Sequence, residues 1–295
     1  MLTFEGLPKL PMKLPLLNSG KRLFLLATVL LTSMGVKAQY AVDTTLTPVQ
    51  YINNLVGLGV SFGNIQFQGD GQAIGSFTGA NGQLGFNSGI ILSTGQASAS
   101  DDVSSSFAGG FNANGLVNIP ELAGYVPGCF TPGATNDGLI LQFDFVPQST
   151  PVSFRYIFAS EEYDEYVCSS FNDAFAFLIS GPGIAGEVNL ALVPGTGDPI
   201  TINTINNGSV GGNGDPFNDP CILSNSQYFN SNPPGNIVYD GYTDVMTAVQ
   251  DVIPWQTYTL RLMLADGCDS GFDSAVFLEA NSFGAAPIAI SQTTL

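Results

Sequence analysis

The chain contains no histidine, and beyond position 38 it contains no lysine. Those two absences remove Ser-His and Cys-His nucleophile pairs, lysine Schiff bases and histidine-ligated zinc from the body of the protein. Positive charge of any kind is scarce. Of seven basic residues, Lys9, Lys13, Lys21, Arg22 and Lys37 lie in the first 38 positions, leaving Arg155 and Arg261 to face nearly all of the 24 acids. Such a charge balance repels nucleic acid and anionic membranes. The chemistry left is that of carboxylates, on a surface that is either strongly hydrated or partly neutralised by divalent cations.

Long hydrophobic runs are missing too. The apolar run 23–31 follows Lys21 and Arg22 and is shorter than the roughly 20 residues of a membrane span. With Val36, Lys37 and Ala38 resembling a small-x-small cleavage site, residues 1–38 are expected to be a secretory signal peptide, with Met12 as a second candidate start. The four cysteines, Cys129, Cys168, Cys221 and Cys268, all follow that segment and show no CxxC spacing. An even number in an exported chain predicts two disulfides rather than a metal cluster, with Cys168 joined to either Cys221 or Cys268.

Helical signals are few. Thr47 and Pro48, followed by Val49, Ile52 and Val56 at helical spacing, predict one short helix that Gly57 ends. Thereafter short apolar or alternating segments predict strands at 65–67, 73–77, 89–93, 139–146, 152–159, 174–179, 189–193, 200–202, 245–252, 258–265 and 274–282. The fold class expected is all-β: a two-sheet antiparallel β-sandwich, jelly-roll-like, with long Gly/Asn-rich loops at 69–85 and 203–235. The domain is expected to span 39–283, with 284–295 a linker or the start of a further module. Phe154, Tyr156, Phe158, Phe175, Phe177, Leu260, Leu262, Leu264, Val276 and Leu278 recur at period two and are the predicted core.

The acids gather after two similar strands. In 154–173 (FRYIFASEEYDEYVCSSFND) the alternation of Phe154, Tyr156 and Phe158 gives way to Glu161, Glu162, Asp164 and Glu165. In 260–274 (LRLMLADGCDSGFDS) a strand is likewise followed by Asp266, Asp269 and Asp273. Arg155 and Arg261 each precede an alanine, Ala159 and Ala265, by four positions. Both strands therefore run out at the same relative point, and if they run in the same direction in facing sheets their loops meet at one end. Glu161, Glu162, Asn172, Asp173, Asp266, Asp269 and Asp273 are then candidate ligands for calcium, which takes 6 to 8 oxygens, although their spacing matches no EF-hand. The plainer alternative is a pair of solvated loops with Asp and Asn as turn residues. Arg155 and Arg261 are expected to make structural ion pairs rather than to bind an anionic ligand. Asp269-Ser270-Gly271 has no second copy of the tripeptide that a two-carboxylate aspartic protease would need. Asn207-Gly208-Ser209 fits a glycosylation sequon, read here as incidental.

Several motifs together resemble one family. FASEEY (158–163), FND (171–173), FLISGPG (177–183), Asp240-Gly241 with Thr243, and the run 265–280 are similar to the choice-of-anchor L domain of secreted bacterial proteins. The upstream segments 73–77 and 89–95 fit its amino-terminal half, so the resemblance covers about 45–283. It implies a surface or secreted β-rich module placed upstream of varied anchoring tails, and it implies no ligand. The expected function is a non-catalytic adhesion or matrix module stiffened by calcium, with an extracellular protein or glycan as partner, no membrane span, and anchoring through a tail beyond Leu295. The alternative is a carbohydrate-binding module or a carboxylate-dependent glycoside hydrolase, which needs only two carboxylates at a suitable separation.

Overall fold

The helix and the strands follow from local chemistry at their ends. The computed structural model describes residues 40–80, 84–101, 115–116, 118–122, 135–232 and 237–285. The predicted signal peptide, Cys129 and 286–295 lie outside these. Helix α1 (Pro48–Leu55) begins with a capping box. The Thr47 backbone amide donates to Gln50 Oε1 at 2.8 Å, and the Gln50 amide donates to Thr47 Oγ1 at 3.4 Å. Proline at the first helical position has no amide to leave unsatisfied. Tyr51, Ile52 and Leu55 turn inwards and are buried.

The strands are β1 (Ala41–Asp43), β2 (Val60–Gln68), β3 (Ile74–Thr78), β4 (Ser88–Ser93), β5 (Thr135–Pro147), β6 (Val152–Ser160), β7 (Ala174–Ser180), β8 (Glu187–Asn189), β9 (Phe229–Ser231), β10 (Gly241–Thr243), β11 (Met246–Gln250), β12 (Tyr258–Gly267), β13 (Ser274–Glu279) and β14 (Gly284–Ala285). Among the described residues they form two antiparallel sheets. One runs β1-β3-β4-β13-β6-β10-β9, with β11 and β14 also on β6; the other runs β2-β5-β12-β7-β8. The expected two-sheet antiparallel sandwich is what forms, and β14 carries the paired chain two residues past Phe283.

All ten residues of the predicted core are at most 2 % exposed. Their rings interlock across the sheets: Phe177 lies 5.1 Å from Phe154 and 4.8 Å from Tyr156, and Phe158 stacks on Phe175 at 5.0 Å between centroids. At the end of the sandwich where β6 begins, Phe283 wedges between Phe143, Phe145 and Phe154, with centroids 5.3, 4.9 and 5.6 Å away. Aromatic pairs in such tilted and edge-on arrangements add to the free energy of area burial.

Three strand expectations fail in whole or in part. The segment 189–193 was expected as a strand, yet β8 stops at Asn189. The Asn189 side chain takes the place of a ladder, its Oδ1 accepting from the amides of Phe177 and Ala191, both at 3.0 Å. Within residues 200–202 the pairing is a single isolated bridge, Thr201 beside Ala174. The segment 274–282 ends as a strand at Glu279, and Asn281 turns the chain with φ 57°.

Candidate metal centre

β6 and β12 lie in different sheets and end at the same place. The contacts beyond their last residues establish it: the Gly267 amide donates to Asp173 Oδ1 at 3.0 Å, the Ser274 hydroxyl donates to Asp173 Oδ2 at 2.7 Å, and Ser274 is paired with Ser160. The two acidic loops therefore meet, as the matching strands implied. Glu161 and Asp273 tie them backbone to side chain, and Ser160 Oγ accepts from the Glu162 amide at 3.0 Å to set the turn out of β6.

The loop after β6 is held from above. Cys168 is bonded to Cys221, 53 positions away, with Cα atoms 4.9 Å apart. That is one of the two pairings expected, and Cys268 is disulfide-bonded as well. The segment 203–221 is consequently ordered against the acidic loop: the amides of Gly211, Asn213 and Asp215 donate to the carbonyls of Val167, Glu165 and Cys168 at 3.0, 2.9 and 2.9 Å. Gly211 must be glycine, because a Cβ there would collide with the Glu165 carbonyl oxygen. Beneath it the buried Tyr163 hydroxyl donates to the Ile205 carbonyl at 2.7 Å, and Asn203 bridges Cys168, Ser169 and Asn172.

Of the seven residues singled out in the sequence, Glu161, Glu162, Asn172, Asp173, Asp266 and Asp273 are at most 2 % exposed and lie together. Asp269 stays at the exposed rim, where its Oδ1 accepts from the Gly271 amide at 3.2 Å in a local turn. Sequence reasoning missed Asp137 on β5, which is 2 % exposed. Its φ of 45° breaks the strand geometry, and the β5–β12 register shifts between Leu264 and Asp266 beside it. Asn136-Asp137-Gly138 reads as a turn before an apolar run, which is why the strand was expected to start only at Leu139.

Partners for these carboxyls are short. Asp173 has both oxygens satisfied, but both oxygens of Asp266, Oδ1 of Asp273, Oε2 of Glu162 and Oδ2 of Asp137 accept no hydrogen bond. Burial raises the Asp266 carboxyl well above the usual range, reinforced by Asp173, Asp273 and Asp137, and the nearby Thr94 hydroxyl offsets only part of this. Burial pushes Asp173 and Asp273 up to about 7, and pushes Glu162 up to about 11 with help from Asp173 and Asp269. An unpartnered buried carboxylate is costly, so such a site requires protons or cations. The arginines supply neither charge nor donors here. Arg155 pairs with Glu279 at 2.7 Å, and Arg261 with Glu187 at 2.6 Å and Glu121 at 3.1 Å. They make ion pairs, as expected, but away from the acidic loops. Among the described residues no three Cys, Asp or Glu side chains converge tightly enough to hold a metal ion as they stand, so enclosing one requires these side chains to draw in.

The chain belongs to the choice-of-anchor L domain family, whose model matches residues 40–284. Membership implies a secreted or cell-surface protein of bacterial type. Among the described residues no helix is long and apolar enough to cross a membrane. No curated protein and no solved structure matches the chain.

Proposed function

We propose that the protein is exported by residues 1–38 and acts as a non-catalytic adhesion or matrix module whose two sheets are fastened at the acidic end by calcium. The observation that supports this most is Asp266, which is 1 % exposed with neither carboxyl oxygen hydrogen-bonded. A hard divalent cation satisfies such oxygens and removes the repulsion among Asp266, Asp173 and Asp273 at once. Glu162, Asp173, Asp266 and Asp273 would hold the ion, with Glu161 positioning Asp273 and Asp269 at the mouth. Elements of both sheets contribute, so the ion acts as a cross-link between them.

Thermal melts in calcium chloride and in chelator test the reading. Stabilisation by a ligand present at a hundred times its dissociation constant is about 2.7 kcal/mol, and Asp266→Asn should abolish the calcium-dependent rise. An unchanged midpoint in calcium would leave the carboxyls as buried acids that hold their protons.

A glycan is the partner favoured by one further observation. Trp255 is 61 % exposed and held at φ 65°, with its amide donating to the Pro147 carbonyl at 2.7 Å. Exposed aromatic rings of this kind stack on sugars. Pro147 ends β5 whereas Asp137 lies near its start, so the ring stands far from the acids. That separation argues for sugar binding and against a hydrolase, which needs its carboxylates beside the sugar.

A further inference from the structure

Phe217 is 92 % exposed, more than any other large apolar side chain among the described residues, yet its backbone is held in place. It sits in a turn, Asp215-Pro216-Phe217-Asn218, closed by the Asn218 amide on the Asp215 carbonyl at 3.0 Å and by the Phe217 amide on Asp215 Oδ1 at 2.9 Å. Proline in the second position suits such a turn. Both of its ends are tied to the loop after β6. The Asp215 amide donates to the Cys168 carbonyl at 2.9 Å, Asn218 Nδ2 donates to the Ser169 carbonyl at 2.5 Å, and Cys221 carries the disulfide to Cys168. An exposed ring on a fixed turn is preorganised for contact, because little ordering is left to be done when a partner arrives.

Further rings stand at the foot of this turn. Ser169, which anchors Asn218, also bonds Phe171 in both directions: its Oγ accepts from the Phe171 amide at 3.0 Å and donates to the Phe171 carbonyl at 3.1 Å. The half-buried ring of Phe171 lies 5.6 Å from that of Tyr166, which lies 5.4 Å from that of Phe272, both also half-buried. The charge around these rings has one sign. Asp164, Glu165, Asp215, Asp219 and Asp269 are exposed in the same loops, whereas Arg155 and Arg261 are engaged elsewhere. We propose that this surface docks a lysine- or arginine-rich segment of another protein, with Phe217 as the anchor. Ring faces attract ammonium and guanidinium groups, and carboxylates at the rim steer them in and exclude anionic partners. The acids involved are exposed ones, so the inference is independent of the cation reading, and the surface is separate from Trp255.

Calorimetric titration of the full-length protein with an oligo-arginine peptide tests this, with an oligo-glutamate peptide as control. The wild-type protein should bind the first and not the second. Phe217→Ser, at an exposed side chain, should weaken binding about tenfold, the loss expected of an interface anchor. Glu165→Gln should weaken it more than Asp251→Asn, whose exposed carboxylate lies in the loop that carries Trp255. Equal affinity of the wild type and Phe217→Ser, or equal losses from Glu165→Gln and Asp251→Asn, would reduce the attraction to the overall negative charge of the chain and overturn the docking surface. Absence of binding would overturn it too. Self-association of the wild type that Phe217→Ser abolishes would give the turn to a second copy of the chain instead.

Discussion

Glu161 and Asp273 are joined twice: the Glu161 amide donates to the Asp273 carbonyl, and the Asp273 amide donates to Glu161 Oε2, both at 3.0 Å. One bond is independent of side chain and the other is not. The pair continues the β6–β13 ladder one step past Ser160 and turns it from a strand into a support for the acidic loops. Glu161→Ala should therefore remove an acceptor and strand the buried Asp273 amide, costing about 1–3 kcal/mol. Glu161→Gln keeps an acceptor oxygen and should cost less. Urea denaturation of both variants measures the difference, and equal losses would mean that Oε2 contributes nothing.

Without calcium the protein should lose stability as pH rises. Asp173 and Asp273 have folded-state values of about 7 against an ordinary 3.8, so the folded chain holds protons that the unfolded chain releases. Their contribution is fully present below pH 4 and disappears as pH climbs through 7. In chelator the melting temperature should fall between pH 5 and pH 8; in saturating calcium that fall should shrink or reverse, because the ion replaces the protons. A melting profile in chelator that is flat over this range would contradict the burial of these carboxyls.

Breaking the Cys168–Cys221 bond should release the segment 203–221. For a loop of 53 positions the chain-entropy relation gives about 4 kcal/mol. Cys168→Ser with Cys221→Ser should lower the melting temperature and expose the amides of Gly211, Asn213 and Asp215 to rapid hydrogen exchange. Unchanged protection at those amides would show that Asn203 and Tyr163 hold the segment alone.

Phe177→Ala should cost about 3–5 kcal/mol, since Phe177 is fully buried between Phe154, Tyr156 and Phe175. Arg155→Ala, at an ion pair whose arginine side chain is 44 % exposed, should change stability by less than about 1 kcal/mol. Chemical denaturation of the two variants side by side tests whether aromatic packing or surface charge dominates.

The period of two in 154–158 and 260–264 made the strands and their inward faces legible, because burial of one face leaves a direct mark on residue type. The matching positions of Arg155 and Arg261 before Ala159 and Ala265 gave the meeting of the loops only on condition that the two strands run the same way, and the contacts of Asp173 supply that condition. Asp137 was not legible. Its burial depends on a positive φ and a register shift within β5, and neither alters the local composition. Asn189 was missed for a related reason: an amide that replaces two ladder bonds looks, in sequence, like any turn asparagine. The order of 203–221 came from a covalent bond and from Gly211 and Gly214 lying against the loop after β6, where composition alone showed only a long Gly/Asn-rich loop.

The Phe283 wedge gives the sandwich a second, different closure. Where Phe283 meets Phe143, Phe145 and Phe154 the sheets are joined by apolar contact, which is indifferent to dissolved ions. At the opposite end the sheets meet through buried carboxyls, and under the proposed calcium binding that joint would take its strength from the medium. With calcium bound as proposed, the domain would work like a jaw with a fixed hinge at the β6 start and a latch at the β6 end, and falling calcium would open the loops first while the core beside Phe283 stays shut. Sensitivity to the surroundings would then be confined to the end that carries the disulfide-tethered loop.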